Sequence, residues 1–270
     1  GQAQIRWPHS IAELHGSTYF VGIGADEALA LWRSEDFPGG ATRVARLDRP
    51  NFDGDSEMVW LERFGDLLVF PAHGDHGWEI YTSDGTRSGT HELADLCTGE
   101  CDGRPSRPLV LGDRIFFEAM DPQSNRQLWT SALPDLEPRQ LTFPPARAGD
   151  SPVFAAPEVV RLSTGWLFAA TDATHGFELW RSGGTPETTE MLIDILNDRP
   201  GLLLAGVESD GGELFFSASA EYRELYEVIA TDATAAGTSV LSEAPSLRCG
   251  LFSWNSAPAL YALPTALLIE

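Results

Sequence analysis

Apolar and polar positions along this chain repeat with a period close to 50 residues. Five short apolar runs are rich in aromatic and β-branched side chains. Each run contains a phenylalanine, and successive phenylalanines are separated by 50, 47, 51 and 48 residues: Phe20, Phe70, Phe117, Phe168 and Phe216. A second aromatic set follows ten to twelve positions later, ahead of a polar turn: Trp32, Tyr81, Trp129, Trp180 and Tyr226. Continuous apolar runs of this length suit strands that are buried on both faces. A repeat of this length, built on short strands, predicts the blades of a β-propeller.

Each repeat reads as four strands, and together the repeats predict a single all-β domain over residues 1–270. We place them at about 9–48, 56–97, 107–143, 157–196, 202–243 and 250–270. The sixth repeat lacks a fourth strand, whereas residues 1–8 resemble a fourth strand that has no first three. We therefore predict a six-bladed propeller whose last blade is completed by the N-terminal strand, because closure removes unpaired sheet edges. Five or seven blades are the alternatives.

One motif recurs at the end of the third predicted strand. Glu79–Thr90 reads EIYTSDGTRSGT, and Glu178–Thr185 reads ELWRSGGT. The first segment resembles nearly the whole motif of the ELWxxDGTxxGT repeat family of large bacterial secreted proteins, and the second resembles most of it. The resemblance implies an exported protein built from repeats. It implies no catalytic residues, because the family has no assigned reaction.

The charge of the chain limits its partners. The formal net charge is −22, and all 18 basic residues are arginine. An acidic surface repels nucleic acid and anionic lipid, so we expect neither as a partner. The sequence contains no run of about 18 apolar residues, and it therefore predicts no membrane-spanning segment.

The three cysteines bear on the cellular compartment. Cys97 and Cys101 flank a three-residue loop, and this spacing fits a small disulfide ring. Free thiols, or half of a metal site, are the alternatives, and Cys249 is left over. A disulfide requires an oxidising compartment, so we expect an extracellular or periplasmic protein.

Two predicted loops between second and third strands contain residue types that bind metals: His73, Asp75 and His76 in the second repeat, and Asp172 and His175 in the fourth. Histidine and carboxylate together can bind zinc or a similar ion, although His-Gly pairs also shape turns. The polar turns contain Asp84 and Asp232. These are either oxygen donors for calcium or, in the interpretation we favour, turn-forming residues.

The predicted loops that connect one repeat to the next each contain an arginine: Arg49, Arg104, Arg147, Arg199 and Arg248. A ring of guanidinium groups near the channel mouth would bind a carboxylate, a sulfate or an acidic partner. The alternative is that these arginines decorate turns or pair with neighbouring aspartates.

These patterns favour a non-catalytic binding or scaffold module. It would present its loop face to a protein or glycan partner, or serve as a subunit of a larger assembly. The sequence contains no G-x-S-x-G elbow, P-loop, HExxH or dinucleotide fingerprint, and this interpretation requires no cofactor. The alternative is an enzyme on a six-bladed propeller, either a metal-dependent hydrolase or lactonase, with zinc or calcium, or a glycan-acting enzyme.

Overall fold

The structure is a computed structural model of the 270-residue chain. It describes residues 5–34, 40–47, 60–99, 101–142, 159–162, 164–172, 175–194, 203–210, 213–219, 226–243, 260–263 and 266–269. Regular structure in these ranges is β-strand apart from a 3-10 helix at Pro186–Thr188. The predicted all-β class is confirmed. No helix in these ranges is long and apolar enough to cross a bilayer.

The first of two compact units, residues 1–140, contains three four-stranded antiparallel sheets within the described ranges. The first sheet consists of β1 (Arg6–Leu14), β2 (Ser17–Ile23), β3 (Leu29–Ser34) and β4 (Ala41–Arg46). The second consists of β5 (Glu62–Phe64), β6 (Leu67–Gly74), β7 (Gly77–Ser83) and β8 (Thr90–Ala94). The third consists of β9 (Leu109–Leu111), β10 (Arg114–Met120), β11 (Arg126–Ala132) and β12 (Arg139–Gln140). Consecutive strands are neighbours in every sheet, so the connections within a sheet are hairpins.

The second compact unit, residues 141–270, contains two four-stranded sheets and one two-stranded sheet in its described part. The fourth sheet of the chain consists of β13 (Val160–Leu162), β14 (Gly165–Asp172), β15 (Gly176–Ser182) and β16 (Thr189–Ile193). The fifth consists of β17 (Leu203–Asp210), β18 (Glu213–Ser219), β19 (Tyr226–Thr231) and β20 (Ser239–Glu243). The hairpin of β21 (Leu260–Leu263) and β22 (Ala266–Ile269) falls in the sixth predicted repeat. Six blades in a closed ring remain a prediction.

The two recurring aromatic positions face each other across the central strands of a sheet. Their Cα partners are Phe20 and Trp32, Phe70 and Tyr81, Phe117 and Trp129, and Phe168 and Trp180. Phe70 and Phe117 are fully buried in the core of the first unit. Burying a side chain of this size contributes about 1.5–3 kcal/mol. The spacing in the sequence thus reflects one register, which is repeated from sheet to sheet.

In the fifth sheet the residue opposite the recurring phenylalanine lies three positions after the aromatic residue that the sequence pattern singles out. Ile229, not Tyr226, is the Cα partner of Phe216, whereas Tyr226 is paired with Ser219 at the far end of β18. Ile229 is fully buried. It precedes its polar turn by two residues, as Tyr81 does. The distance to the turn therefore sets the register, and the nearest aromatic residue does not.

The N-terminal strand also differs from the prediction. Residues 6–8, assigned to a strand that completes the last blade, are the first residues of β1, where Arg6 is paired with Ile23. Strand β1 contains two register shifts, between Arg6 and His9 and between His9 and Ile11. Residues 1–4 of the predicted closing strand, and residues 250–259 of the sixth predicted repeat, lie outside the described residues.

Candidate functional site

Two polar turns that follow the third strand of their sheets make the same hydrogen bonds. Asp84 Oδ1 accepts the backbone N–H of Thr86 at 2.8 Å and the hydroxyl of Thr86 at 2.7 Å. Asp232 Oδ1 accepts the same two groups of Thr234, at 2.8 and 2.6 Å. The threonine hydroxyl holds the pKa of each aspartate below its usual range. These contacts are those of turn-forming residues, and they support that interpretation over calcium binding.

The equivalent turn after β15 is built from a different residue pair. Gly183 stands at the position of Asp84, and Thr188 stands at the position of Gly89. The Thr188 hydroxyl accepts the N–H of Thr185 at 3.2 Å, which corresponds to the backbone bond that Asp84 accepts. A Cβ atom at Gly89 would overlap with the Asp84 carboxylate. The aspartate and the threonine therefore occupy the same space, and each turn contains only one of them.

The glutamate of the repeated motif is buried and binds the segment that leads to the next sheet. Glu79 is fully buried; its Oε2 atom accepts the N–H of Leu96 at 2.9 Å and its Oε1 atom accepts the N–H of Gly103 at 2.8 Å. Burial raises the pKa of Glu79 to about 7, because loss of water disfavours the carboxylate. A Cβ atom at position 103 would overlap with this carboxyl group. Glycine is therefore required where the segment passes Glu79.

We call this connecting segment, residues 96–104, the crossover; two further features fix it. Cys97 and Cys101 form a disulfide, with their Cα atoms 5.6 Å apart. Asp102 Oδ1 accepts the N–H of Trp78 at 3.0 Å, and the N–H of Arg104 donates to the Trp78 carbonyl oxygen at 3.0 Å. The crossover is thus attached to the start of β7 through both the N–H and the carbonyl oxygen of Trp78.

Among the five predicted loop arginines, only Arg104 falls within the described residues. Its side chain is 54% exposed, and its Nε atom lies 3.7 Å from Asp102 Oδ2. Pairing of the loop arginines with neighbouring aspartates was the alternative to an anion site, and Arg104 makes such a pair. The remaining arginines lie outside the described residues, so the guanidinium ring stays a prediction: Arg49, Arg147, Arg199 and Arg248.

The hairpin between β6 and β7 places His76 beside a carboxylate on β8. The Nδ1 atom of His76 lies 2.9 Å from Glu92 Oε1, and the Tyr81 hydroxyl donates to Glu92 Oε2 at 3.3 Å. The hydrogen bond to Glu92 raises the pKa of His76. The pKa of Tyr81 is raised to about 12, mainly because burial removes water from its hydroxyl group. The neighbouring Asp75 is exposed.

His73 has a different environment from His76. Its ring packs edge-on against Trp78 with centroids 5.6 Å apart, and its Nδ1 atom lies 3.1 Å from the Gly74 carbonyl oxygen. Its backbone N–H donates to the Leu47 carbonyl oxygen of the preceding sheet at 2.8 Å. These contacts assign His73 to the hairpin and its packing.

The predicted metal ligands of the fourth repeat belong to the second unit. Asp172 ends β14, and His175 lies in the turn before β15. Within the part of the chain that the structure describes, no group of three His, Cys, Asp or Glu residues could hold a metal ion. The site for zinc or a similar ion that the sequence predicts from these two loops stays a prediction.

The exposed residues of the hairpin and the crossover lie together at one end of the second sheet. We call this surface the loop face: Asp75, His76, Thr98, Gly99 and Arg104. It offers a carboxylate, an imidazole, a hydroxyl and a guanidinium group for hydrogen bonds and ion pairs. Sequence reasoning identified His76 and Arg104 but missed Glu79, although its place in the repeated motif was a signal.

No protein-family model matches this chain, and no curated protein matches it. Among solved structures, the chain is similar to part of a nidogen/laminin complex, with 16% identity over 84% of this chain and 74% of that one, at a TM-score of 0.37. A putative TolB from Agrobacterium tumefaciens matches with 12% identity over 89% and 81%, at 0.37. A puromycin-hydrolyzing peptidase from Mycobacterium tuberculosis matches with 12% identity over 95% and 41%, at 0.44.

Proposed function

We propose that this chain is a non-catalytic, exported binding or scaffold module that presents its loop face to a protein or glycan partner. In this proposal the six repeats form a closed six-bladed propeller, in which the sheets give rigidity and the loops give specificity. One observation carries the proposal: the crossover is attached to β7 by the buried Glu79 carboxylate and closed by a disulfide, while the side chains around it are exposed.

A fixed crossover favours binding because it lowers the entropy lost on association. Ordering a side chain at an interface costs about 0.5–1.5 kcal/mol, and ordering a loop adds to that cost. Here the backbone is already held by the hydrogen bonds of Glu79, Asp102 and Arg104. A partner would have to order only the exposed side chains, such as Arg104 and His76.

The repeated polar residues support binding over catalysis. Asp84 and Asp232 accept hydrogen bonds within their own turns. Glu79 accepts two backbone N–H groups in the core of its sheet. The chemistry of the motif is therefore used to build the sheets and their connections.

The disulfide supports export. Disulfides persist in oxidising compartments and are rare where thiols are kept reduced. The Cys97–Cys101 pair closes a short ring on the loop face. An extracellular or periplasmic location follows from this proposal.

The proposal is tested by screening the chain against a glycan array and a displayed peptide library, and then by measuring the affinity of variants for each ligand recovered. The double variant His76→Ala/Arg104→Ala should weaken binding about tenfold or more, a loss of about 1.4 kcal/mol. The matched control, His91→Ala/Arg87→Ala, changes exposed residues of the same types at the other end of the same sheet. Ligands that bind the first variant as tightly as the parent chain would contradict the proposed loop face.

A further inference from the structure

A cavity of about 380 Å³ lies in the second unit, at the opposite end of the fourth sheet from His175. This volume is within the range of about 300–1,000 Å³ that is usual for small-molecule sites. The lining residues that bear on its chemistry are Thr164, Trp166, Arg181, Glu187, Glu190 and Ala233. This cavity shares no residue with the loop face, so the inference does not depend on the proposed function.

A glycine at the start of β14 forms part of the cavity wall. Gly165 lines the cavity and is paired with Leu162. In the second sheet the equivalent pair is Leu67 with Phe64, and in the third it is Arg114 with Leu111. A Cβ atom at Gly165 would lie 2.3 Å from the carbonyl oxygen of Ser182, so this position has no room for a side chain and the wall here is formed by backbone.

One wall of the cavity is an arginine that is held in place by two partners. Arg181 Nε donates to Glu190 Oε1 at 2.7 Å, and Nη2 pairs with the same carboxylate. Arg181 Nη1 donates to the carbonyl oxygen of Ala233, in the turn between β19 and β20, at 3.3 Å. A guanidinium group has five N–H donors, and these contacts among described residues use three of them. The wall thus offers N–H donors directly beside the acceptor oxygens of Glu190.

The mixture of groups limits the chemical class of the ligand. An apolar ligand would remove the Arg181–Glu190 pair from water without replacing its hydrogen bonds, which is unfavourable. An anion would face two carboxylates, Glu187 and Glu190, and a cation would lie next to the guanidinium group. A hydroxyl group can accept from Arg181 and donate to Glu190 at once. We infer that this cavity is a subsite for a neutral polyhydroxylated ligand, namely a saccharide unit.

The test is ligand-observed saturation-transfer NMR on the full chain with D-glucose, D-galactose, D-mannose, maltose and cellobiose, with acetate as a non-polyol probe. The parent chain should transfer saturation to at least one sugar and not to acetate. Arg181→Met keeps the length of the side chain but removes its N–H donors, and the sugar signal should be lost. The matched control is Arg33→Met, since Arg33 follows Trp32 on β3 as Arg181 follows Trp180 on β15.

A second variant leaves the arginine intact. Thr164→Trp places a large side chain at the exposed rim of the cavity and should also abolish the sugar signal, while the thermal transition shows that the chain is folded. The inference is overturned if no sugar receives saturation from the folded parent chain, or if acetate binds in place of the sugars. It is also overturned if folded Arg181→Met or Thr164→Trp retains the full sugar signal.

Discussion

The two forms of the polar turn predict strong coupling between positions 84 and 89. In the turn of the second sheet the pair is Asp84 with Gly89, and in the turn of the fourth sheet the equivalent pair is Gly183 with Thr188. The perturbation is a double-mutant cycle of Asp84→Gly, Gly89→Thr and the double variant, which recreates the pair of the fourth sheet in the second. We expect each single change to destabilise the chain and the double change to restore most of its stability.

The magnitudes follow from the contacts of the turn. Asp84→Gly removes two hydrogen bonds to Thr86, each worth about 0.5–1.5 kcal/mol, so the expected loss is about 1–2 kcal/mol at this exposed site. Gly89→Thr forces a Cβ atom into the Asp84 carboxylate, and overpacking of this kind costs about 1–3 kcal/mol. In the double variant the threonine hydroxyl can replace the lost acceptor, as Thr188 does. The loss in the double variant should then fall below about 1 kcal/mol, which implies a coupling of at least about 1 kcal/mol.

The assay is equilibrium unfolding in urea, followed by tryptophan fluorescence and repeated as a thermal scan. A change of 1 kcal/mol shifts Tm by about 2–4 °C for a cooperative unit of about 150–250 residues. The reciprocal cycle, Gly183→Asp with Thr188→Gly, is the matched control. A Cβ atom at position 183 lies 2.9 Å from Thr188 Oγ1, so the single Gly183→Asp change should also destabilise. Free energies that add within about 0.5 kcal/mol in both cycles would refute the shared-space explanation.

Three further predictions concern burial, titration and the disulfide. Phe70→Ala should reduce the free energy of unfolding by about 3–5 kcal/mol, because Phe70 is fully buried. Trp7→Ala should change it by less than about 0.5 kcal/mol, because Trp7 is 69% exposed. Denaturant titration measures both free energies. The raised pKa of Glu79 means that the folded chain retains a proton between about pH 4.5 and 7 that the unfolded chain releases, so stability should fall as pH rises through this window. Glu79→Gln should remove that part of the slope, as measured by unfolding at several pH values. Replacing Cys97 and Cys101 with serine should lower stability by no more than about 2 kcal/mol, since the ring is short, while hydrogen exchange in the crossover should accelerate.

The strand register was predictable from the sequence wherever the recurring residue kept its chemical type. Phe70 and Phe117 are paired with Tyr81 and Trp129, the members of the second aromatic set in their repeats, because each of these two residues lies at a similar distance from a polar turn. In the fifth repeat the aromatic residue Tyr226 lies three positions before the residue that is paired with Phe216. Aligning Tyr226 with the other aromatic residues therefore gave a register that is wrong by three positions. Ile229 fills the buried position with aliphatic volume, and a search for aromatic side chains misses it. The polar turn was the better guide because backbone geometry restricts its sequence.

The site was less predictable because its contacts are remote in sequence. Glu79 contacts backbone groups 17 and 24 residues away, at Leu96 and Gly103, and no local pattern pairs them. His76 was found from its residue type, but its partner Glu92 lies on another strand and became visible only in the folded sheet. The metal prediction combined loops from two repeats, a step that requires knowledge of tertiary placement. Residue types alone could not supply it.

The contact between Glu79 and Gly103 also decides where this protein can be cut and recombined. An engineer who exchanged whole sheets at their visible ends would separate the acid on β7 from the glycine that must pass it. A transferred cassette should instead extend past β8 and include the peptide group of residue 103. The segment that can be exchanged as a unit therefore does not coincide with one sheet. It ends within the connection that leads to the next sheet.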